Sequence, residues 1–226
     1  MTPPALVLTD IEGTTTAISF VHRTLFPFAA EALGEFLALH GHVPEVAKLL
    51  AEVPAPVEAT LRDWMARDVK ATPLKALQGI IWRQGYADGR LRGHLWPDVA
   101  PALRAWHQAG IGLAVYSSGS EEAQRLLFGF SEAGDLAPLF RGFFDTRMGG
   151  KREAASYAGI ARSLALPAAD ILFLSDIAEE LDAAGQAGLR TCQLVRAADG
   201  TVASGRHATA ADFNGVARLF GLPTTP

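Results

Sequence analysis

Asp10-Ile11-Glu12-Gly13-Thr14-Thr15-Thr16 follows the apolar run Leu6-Val7-Leu8, and the reading of that junction decides the fold. A short aliphatic run without alternation is the pattern of a strand buried on both faces, as in a parallel sheet covered by helices. Two carboxylates, Asp10 and Glu12, then stand at the carboxyl end of a strand, where open α/β sheets bind their ligands. Gly13 permits a sharp turn, and three hydroxyls follow. Acids, a glycine and hydroxyls so placed suit a metal ion and an anion held together. A solvated Asx turn or helix cap is the plain alternative.

Outward from this junction, residues 19 to 97 carry helical periodicity and no convincing strand. Leu25, Phe28, Ala29, Ala32, Leu33, Phe36 and Leu37 recur at three- and four-residue spacing until Gly41. Further helices are expected over 44–52 and 57–70. Thr72-Pro73 reads as the cap and first position of another, which carries Leu74, Leu77, Ile80 and Ile81 on one face. Beyond Pro97 the elements alternate. Helices are expected over 97–109, 121–130, 151–165, 178–187 and 208–220, and strands over 111–116, 142–145, 171–174 and 189–195. This order predicts an α/β protein: a parallel-sheet core formed by residues 1–18 and 98–226, with an all-helical insertion, 19–97, after the first strand. The linkers are expected near 17–21 and 89–97.

The later strands also end in polar residues. Ser117-Ser118-Gly119-Ser120 follows the strand at 111–116; hydroxyls and free N–H groups at a helix start make an anion site, although Ser120 alone reads as a cap. Lys151 follows Met148-Gly149-Gly150 at the expected start of a helix, where a cation opposes the helix dipole. That placement suggests an anion to hold, against the alternative of a lysine reaching into solvent. Ser175-Asp176-Ile177-Ala178-Glu179-Glu180 closes the strand at 171–174, with Ser175 or Asp176 as a plain cap in the alternative. Together these ends converge. Asp10, Glu12, Asp176 and Glu180 would crowd, and two unit charges ~4 Å apart repel by about 4 kcal/mol at intermediate dielectric. A hard divalent cation, Mg²⁺ first of all, would relieve this. Lys151, Ser117 and Ser118 would then hold a phosphate, and an aspartate can accept a phosphoryl group.

The order Asp-x-acid-Gly-Thr, then Ser, then Lys, then an acidic pair spaced four apart resembles the haloacid dehalogenase superfamily of phosphohydrolases. The insertion after the first strand is similar to its helical cap. The blocks Asp10 to Thr16, Ile18 to Val21, Leu25-Phe26-Pro27, Leu74 to Trp82 and Tyr116 to Ser120 resemble the enolase-phosphatases of methionine salvage, and the resemblance runs along nearly the whole chain. It implies a Rossmann-like core under a cap, one Mg²⁺ per chain, and a bifunctional reaction: enolisation of 2,3-diketo-5-methylthiopentyl-1-phosphate, then removal of phosphate to give the acireductone. It further implies Asp10 as metal ligand and nucleophile, Glu12 at the second metal-loop position with its main-chain carbonyl on the metal, and Asp176 as third ligand. Ser117, Ser118 and Lys151 bind substrate in this correspondence, and Glu180 is the acid behind the ligands. Glu12 replaces the superfamily's usual aspartate and is expected to move protons. An Arg-Pro-Gly-like turn is expected near Val195-Arg196, but Ala197-Ala198 follows instead.

Composition narrows the alternatives. The 226 residues carry a net charge of −4, with no basic face for nucleic acid and no basic amphipathic stretch for a membrane. Cys192 stands alone, so neither an intrachain disulfide nor a cysteine cage is expected; it reads as a small core residue. The N-terminus lacks the charged start of a signal peptide, and no apolar run reaches membrane-spanning length. A cytoplasmic monomer acting on a small phosphorylated molecule is expected. A phosphatase without an enolase step, a phospho-receiver-like signalling module and a catalytically inactive binding protein remain as alternatives.

Overall fold

A computed structural model of the chain describes residues 2–67, 69 and 71–225. The chain divides into two compact units, residues 1–18 with 93–226, and residues 19–92. Residues 93–97 therefore group with the larger unit. There Trp96 N donates to Thr15 O (3.0 Å) and Gly93 N donates to Phe130 O (2.9 Å).

The larger unit is built on one six-stranded parallel sheet: β1 (Leu6–Thr9), β2 (Gly112–Tyr116), β3 (Gly142–Phe144), β4 (Ile171–Ser175), β5 (Arg190–Leu194) and β6 (Ala208–Ala210). Their order is β3-β2-β1-β4-β5-β6. β1 lies between β2 and β4, with Leu6 opposite both Gly112 and Ile171. The chain winds to one side of β1 and then returns to the other, so the topological switch point lies between β1 and β4, where such sheets bind ligands.

The aliphatic runs predicted as buried strands are buried on both faces. Leu6, Leu8, Ala114, Tyr116, Ile171 and Phe173 pack with α8 (Ala154–Leu164) and α9 (Ala178–Gln186). Val7, Leu113, Val115, Leu172 and Leu174, pointing the other way, are also buried. Here α6 (Val99–Gln108) packs on β2, and its Trp106 stacks on Phe213 of α10 (Phe213–Phe220) at 5.2 Å. α7 (Glu121–Gly129) packs on β3. Cys192 is fully buried, and burial pushes its thiol up to about 12.

The smaller unit is helical. Ile18–Phe20 (α1) runs through a π-helical turn, Val21–Leu25, into α2 (Phe26–His40); α3 (Pro44–Leu50), α4 (Val57–Ala66) and α5 (Thr72–Ala87) follow. The segment expected as a linker near 17–21 is thus helical from Ile18. The three- and four-residue spacing buries Ala29, Leu33 and Phe36 against Leu61, Leu74, Leu77 and Ile81 in a core of its own.

Several expectations are corrected. Ala71 takes the cap position of α5, so Thr72 lies in the first turn rather than capping it. The helix expected over 57–70 ends at Ala66; residues 68 and 70 lie outside the described residues. The helix expected over 208–220 is a sixth strand and then α10, because residues 208–210 pair with β5 in register Cys192↔Ala208. Lys151 does not open a helix: α8 begins at Ala154, and Lys151 sits in the turn before it. Lys151 is therefore not set against the dipole of α8 as a first-turn residue.

Candidate active site

Asp10 extends the ladder of β1 by one residue, its N–H donating to Leu174 O (2.9 Å). Asp176 follows directly on β4, which ends at Ser175, so these two acids flank the switch point. Between them the chain turns at Gly13, whose φ is +73°. A Cβ at this position would stand 2.6 Å from Asp176 Cγ, so only glycine fits both the turn and the close approach. Thr14 is fully buried, and its Oγ1 accepts a hydrogen bond from Asp176 N (3.1 Å). The hydroxyl that follows the acids thus joins the two strand ends directly.

Lys151 reaches the same place. Its Nζ lies 2.6 Å from Asp10 Oδ1 and 2.7 Å from Glu180 Oε2. Ser175 Oγ donates to the same Glu180 oxygen (2.9 Å) and accepts from Ile177 N (3.1 Å). Neither Ser175 nor Asp176 caps α9, whose cap position is Ile177. The turn bearing Lys151 is fixed through three successive carbonyls. Gly149 O accepts from Tyr116 OH (2.9 Å), Gly150 O from Ser156 Oγ (2.8 Å), and Lys151 O from Tyr157 OH (2.7 Å). Burial pushes both phenols' pKa values upward, so they remain donors. Sequence reasoning found the lysine but not these three residues.

The electrostatics call for another cation. Burial, and next the Asp10 carboxylate, push Asp176 up to about 7. Burial and then Asp10 also push Glu180 upward, against the attraction of Lys151. Burial alone would lower Lys151, but Asp10 and Glu180 outweigh it and hold the ammonium charged. Three carboxylates thus face one ammonium, and Asp176 Oδ1 is buried without a hydrogen-bond partner. An orphaned acceptor in an under-neutralised acid site fits a hard cation. Among the described residues no group of three His, Cys, Asp or Glu side chains forms a complete metal cage. This is compatible with a site of two carboxylates, Asp10 and Asp176, completed by the main-chain carbonyl of Glu12 and by water. Glu12 itself is half-buried two residues beyond Asp10, its main chain bridged to Thr16.

The serines at the end of β2 divide. Ser120 caps α7, accepting from Ala123 N (3.2 Å). Ser117 is buried, and its Oγ accepts from Gly119 N (3.3 Å); Ser118 is exposed. Among the described residues neither hydroxyl bonds to Asp10, Lys151 or Asp176. The loop is shaped by Gln124, whose Nε2 donates to Gly119 O and Phe144 O, both at 2.8 Å. Beside Asp176 a groove of about 560 Å³ opens, with Ile18, Ile177, Val202 and Arg206 on its walls. Buried Gln193 ties it to the acid, donating to Asp176 O (2.9 Å) and Val202 O (3.1 Å).

Residues 4–188 match the family model described as haloacid dehalogenase-like hydrolase. Enolase-phosphatase E1 of Granulibacter bethesdensis is 58% identical, over 99% of each chain. Enolase-phosphatase E1 of Pseudomonas aeruginosa (strain UCBPP-PA14) is 57% identical, over 92% of this chain and 95% of that protein. The chain belongs to the haloacid dehalogenase-like hydrolases, in the enolase-phosphatase E1 family. Among solved structures, the UTR4 protein of Saccharomyces cerevisiae superposes with a TM-score of 0.82 at 32% identity, covering 92% of this chain and 98% of that one. CbbY of Rhodobacter sphaeroides, in complex with phosphate, shares the fold at 21% identity and a TM-score of 0.61. Membership in this hydrolase family sets aside the signalling-module and inactive-binder alternatives.

Proposed function

We propose that the chain is an Mg²⁺-dependent enolase-phosphatase that converts 2,3-diketo-5-methylthiopentyl-1-phosphate to the acireductone and phosphate in methionine salvage. The observation that carries this reading is the contact of Lys151 with both Asp10 and Glu180 beside the unpartnered oxygen of Asp176. In the first half-reaction the proton on the phosphate-bearing carbon leaves, a carbon–carbon double bond forms, and the neighbouring carbonyl oxygen takes a proton. In the second, an Asp10 carboxylate oxygen attacks phosphorus and the ester P–O bond breaks. The leaving enol oxygen takes a proton from Glu12. Water, deprotonated by Glu12, then attacks phosphorus and frees Asp10. Asp10, Asp176 and the Glu12 carbonyl would hold Mg²⁺, which when bound would supply neutralisation of charge on the transferring phosphoryl group. Lys151, Ser117 and Ser118 orient the phosphate oxygens, and Glu180 keeps the lysine placed. We further read the helical insertion as a cap, the protein as monomeric and its compartment as the cytoplasm. No helix among the described residues is long and apolar enough to cross a membrane.

The test follows phosphate release and enol absorbance together, with Mg²⁺ and with EDTA. Both signals are expected with Mg²⁺, and phosphate release is expected to stop with EDTA. Phosphate release without an enol intermediate would instead identify a plain phosphatase. Glu12→Gln is expected to slow turnover by about 100-fold or more, and Glu12→Asp by less. Wild-type rates in both variants, for both half-reactions, would remove Glu12 from the mechanism.

A further inference from the structure

Arg196 is buried, only 5% exposed, and it stands where an Arg-Pro-Gly-like turn is expected. All five of its N–H donors are used. Nη1 donates to Asp98 Oδ1 (2.9 Å) and Ala211 O (3.3 Å). Nη2 donates to Asp98 Oδ2 (2.9 Å) and Thr14 O (3.0 Å), and Nε also donates to Thr14 O (3.2 Å). The guanidinium lies 5.4 Å from the Trp96 ring centre and 5.7 Å from that of Phe213. Asp98 accepts from this fork and also from Phe213 N (2.8 Å), which joins the guanidinium to the start of α10.

Two facts connect this fork to the acids. Thr14 presents its carbonyl to Arg196 and its hydroxyl to Asp176 N, so one buried residue joins the guanidinium to the loop after β1 and to the end of β4. Three residues beyond Arg196, Asp199 Oδ2 accepts from Ile18 N (3.1 Å). The 196–199 turn therefore grips the Thr14–Ile18 segment at both ends. A planar bidentate fork holds such a geometry in a way that an ammonium does not.

We infer that Arg196 is a positioning residue. Through Thr14 it fixes the separation of Asp10 and Asp176, and so sets both Mg²⁺ affinity and the attack geometry. This rests on the assignment of those two acids to the metal and the nucleophile.

The test compares wild type, Arg196→Lys, Thr14→Val and Arg196→Lys/Thr14→Val for kcat, KM, melting temperature and Mg²⁺ affinity, the last by calorimetric titration of the folded protein. Displacing a reacting group by about 1 Å costs on the order of 100-fold in rate, so kcat of Arg196→Lys is expected to fall by about that factor with KM within about twofold. Mg²⁺ is expected to bind about tenfold more weakly, for molecules shown to be folded, because the two carboxylates lose their set separation. Thr14→Val should behave alike, and the double variant should be little worse than either single one, since both act through the same connection. If Arg196→Lys does not fold, Thr14→Val carries the test. Values of kcat and Mg²⁺ affinity per folded molecule that stay near wild type, with only the melting temperature lowered, would overturn the inference. Asp10→Asn is measured in parallel. Turnover by that variant would refute the nucleophile assignment, while the Mg²⁺ titration still decides the role of Arg196.

Discussion

At the scale of single residues, the site depends on a glycine as much as on its acids. Gly13 combines a left-handed φ of +73° with an approach to Asp176 that no side chain could share. Gly13→Ala therefore meets two penalties, backbone strain of about 1–2 kcal/mol and a collision with a carboxylate whose backbone N–H is already anchored on Thr14. Relief must come from moving Asp176 or the turn. The variant is expected to fold, because the sheet beneath is untouched, but to lose stability by about 2–4 kcal/mol and activity by about 100-fold or more. Urea denaturation and kcat measure the two effects separately; a variant with wild-type kcat would show that Asp176 can move without consequence. The acids, the lysine and this glycine were legible in the sequence because their residue types are rare together at strand ends. Thr14 as a joint and Arg196 as its anchor were not, since each acquires its role from partners more than 160 positions away.

Among elements, legibility followed the strength of the local pattern. β1, β2 and β4 are non-alternating apolar runs, and each lies where the pattern places it. β6 is Ala208-Thr209-Ala210, with two of its three residues exposed, and only pairing with β5 makes it a strand. The start of α8 was misplaced for a related reason. The carbonyls of 149, 150 and 151 accept from the hydroxyls of Tyr116, Ser156 and Tyr157, and Gly150 O also from Glu153 N in a tight turn, in place of the ladder of a longer helix. α8 thereby does two tasks: one face fills the core, and its first turn holds the lysine turn. Tyr157→Phe separates them. The ring stays in the core against Tyr116 and Phe173, 5.4 and 5.0 Å away, while Lys151 O loses its donor. The expected cost is about 1–2 kcal/mol of stability, with a fall in kcat larger than that loss of folded protein explains. Equal stability and unchanged kcat would mean that Gly149 and Gly150 alone hold the turn.

For the molecule as a whole, the decisive fact is that the two units have separate cores. The helical unit closes on Leu33, Leu61, Leu77 and Ile81, and the larger unit closes on its sheet, without residues in common. The chain leaves the larger unit after Ile18 and re-enters at Gly93, and the two passages are pinned together there. Thr16 Oγ1 donates to His94 O (2.6 Å), Ala17 N donates to His94 Nδ1 (3.3 Å), and Trp96 N donates to Thr15 O. A short Gly-Ser link from Ile18 to Gly93 therefore closes a gap that the fold already holds shut, and loop-closure entropy favours the shorter connection. The shortened chain is expected to fold cooperatively, with a dispersed amide spectrum and a single urea transition, because β1 keeps both neighbours and the Arg196–Thr14 brace lies wholly within it. Residues 19–92 alone are expected to be marginal, since a chain of that size buries too little apolar surface to offset its conformational entropy comfortably. A shortened core that collapsed without cooperative unfolding would show that the sheet depends on the helical insertion for its stability, and that the two cores are independent in packing only.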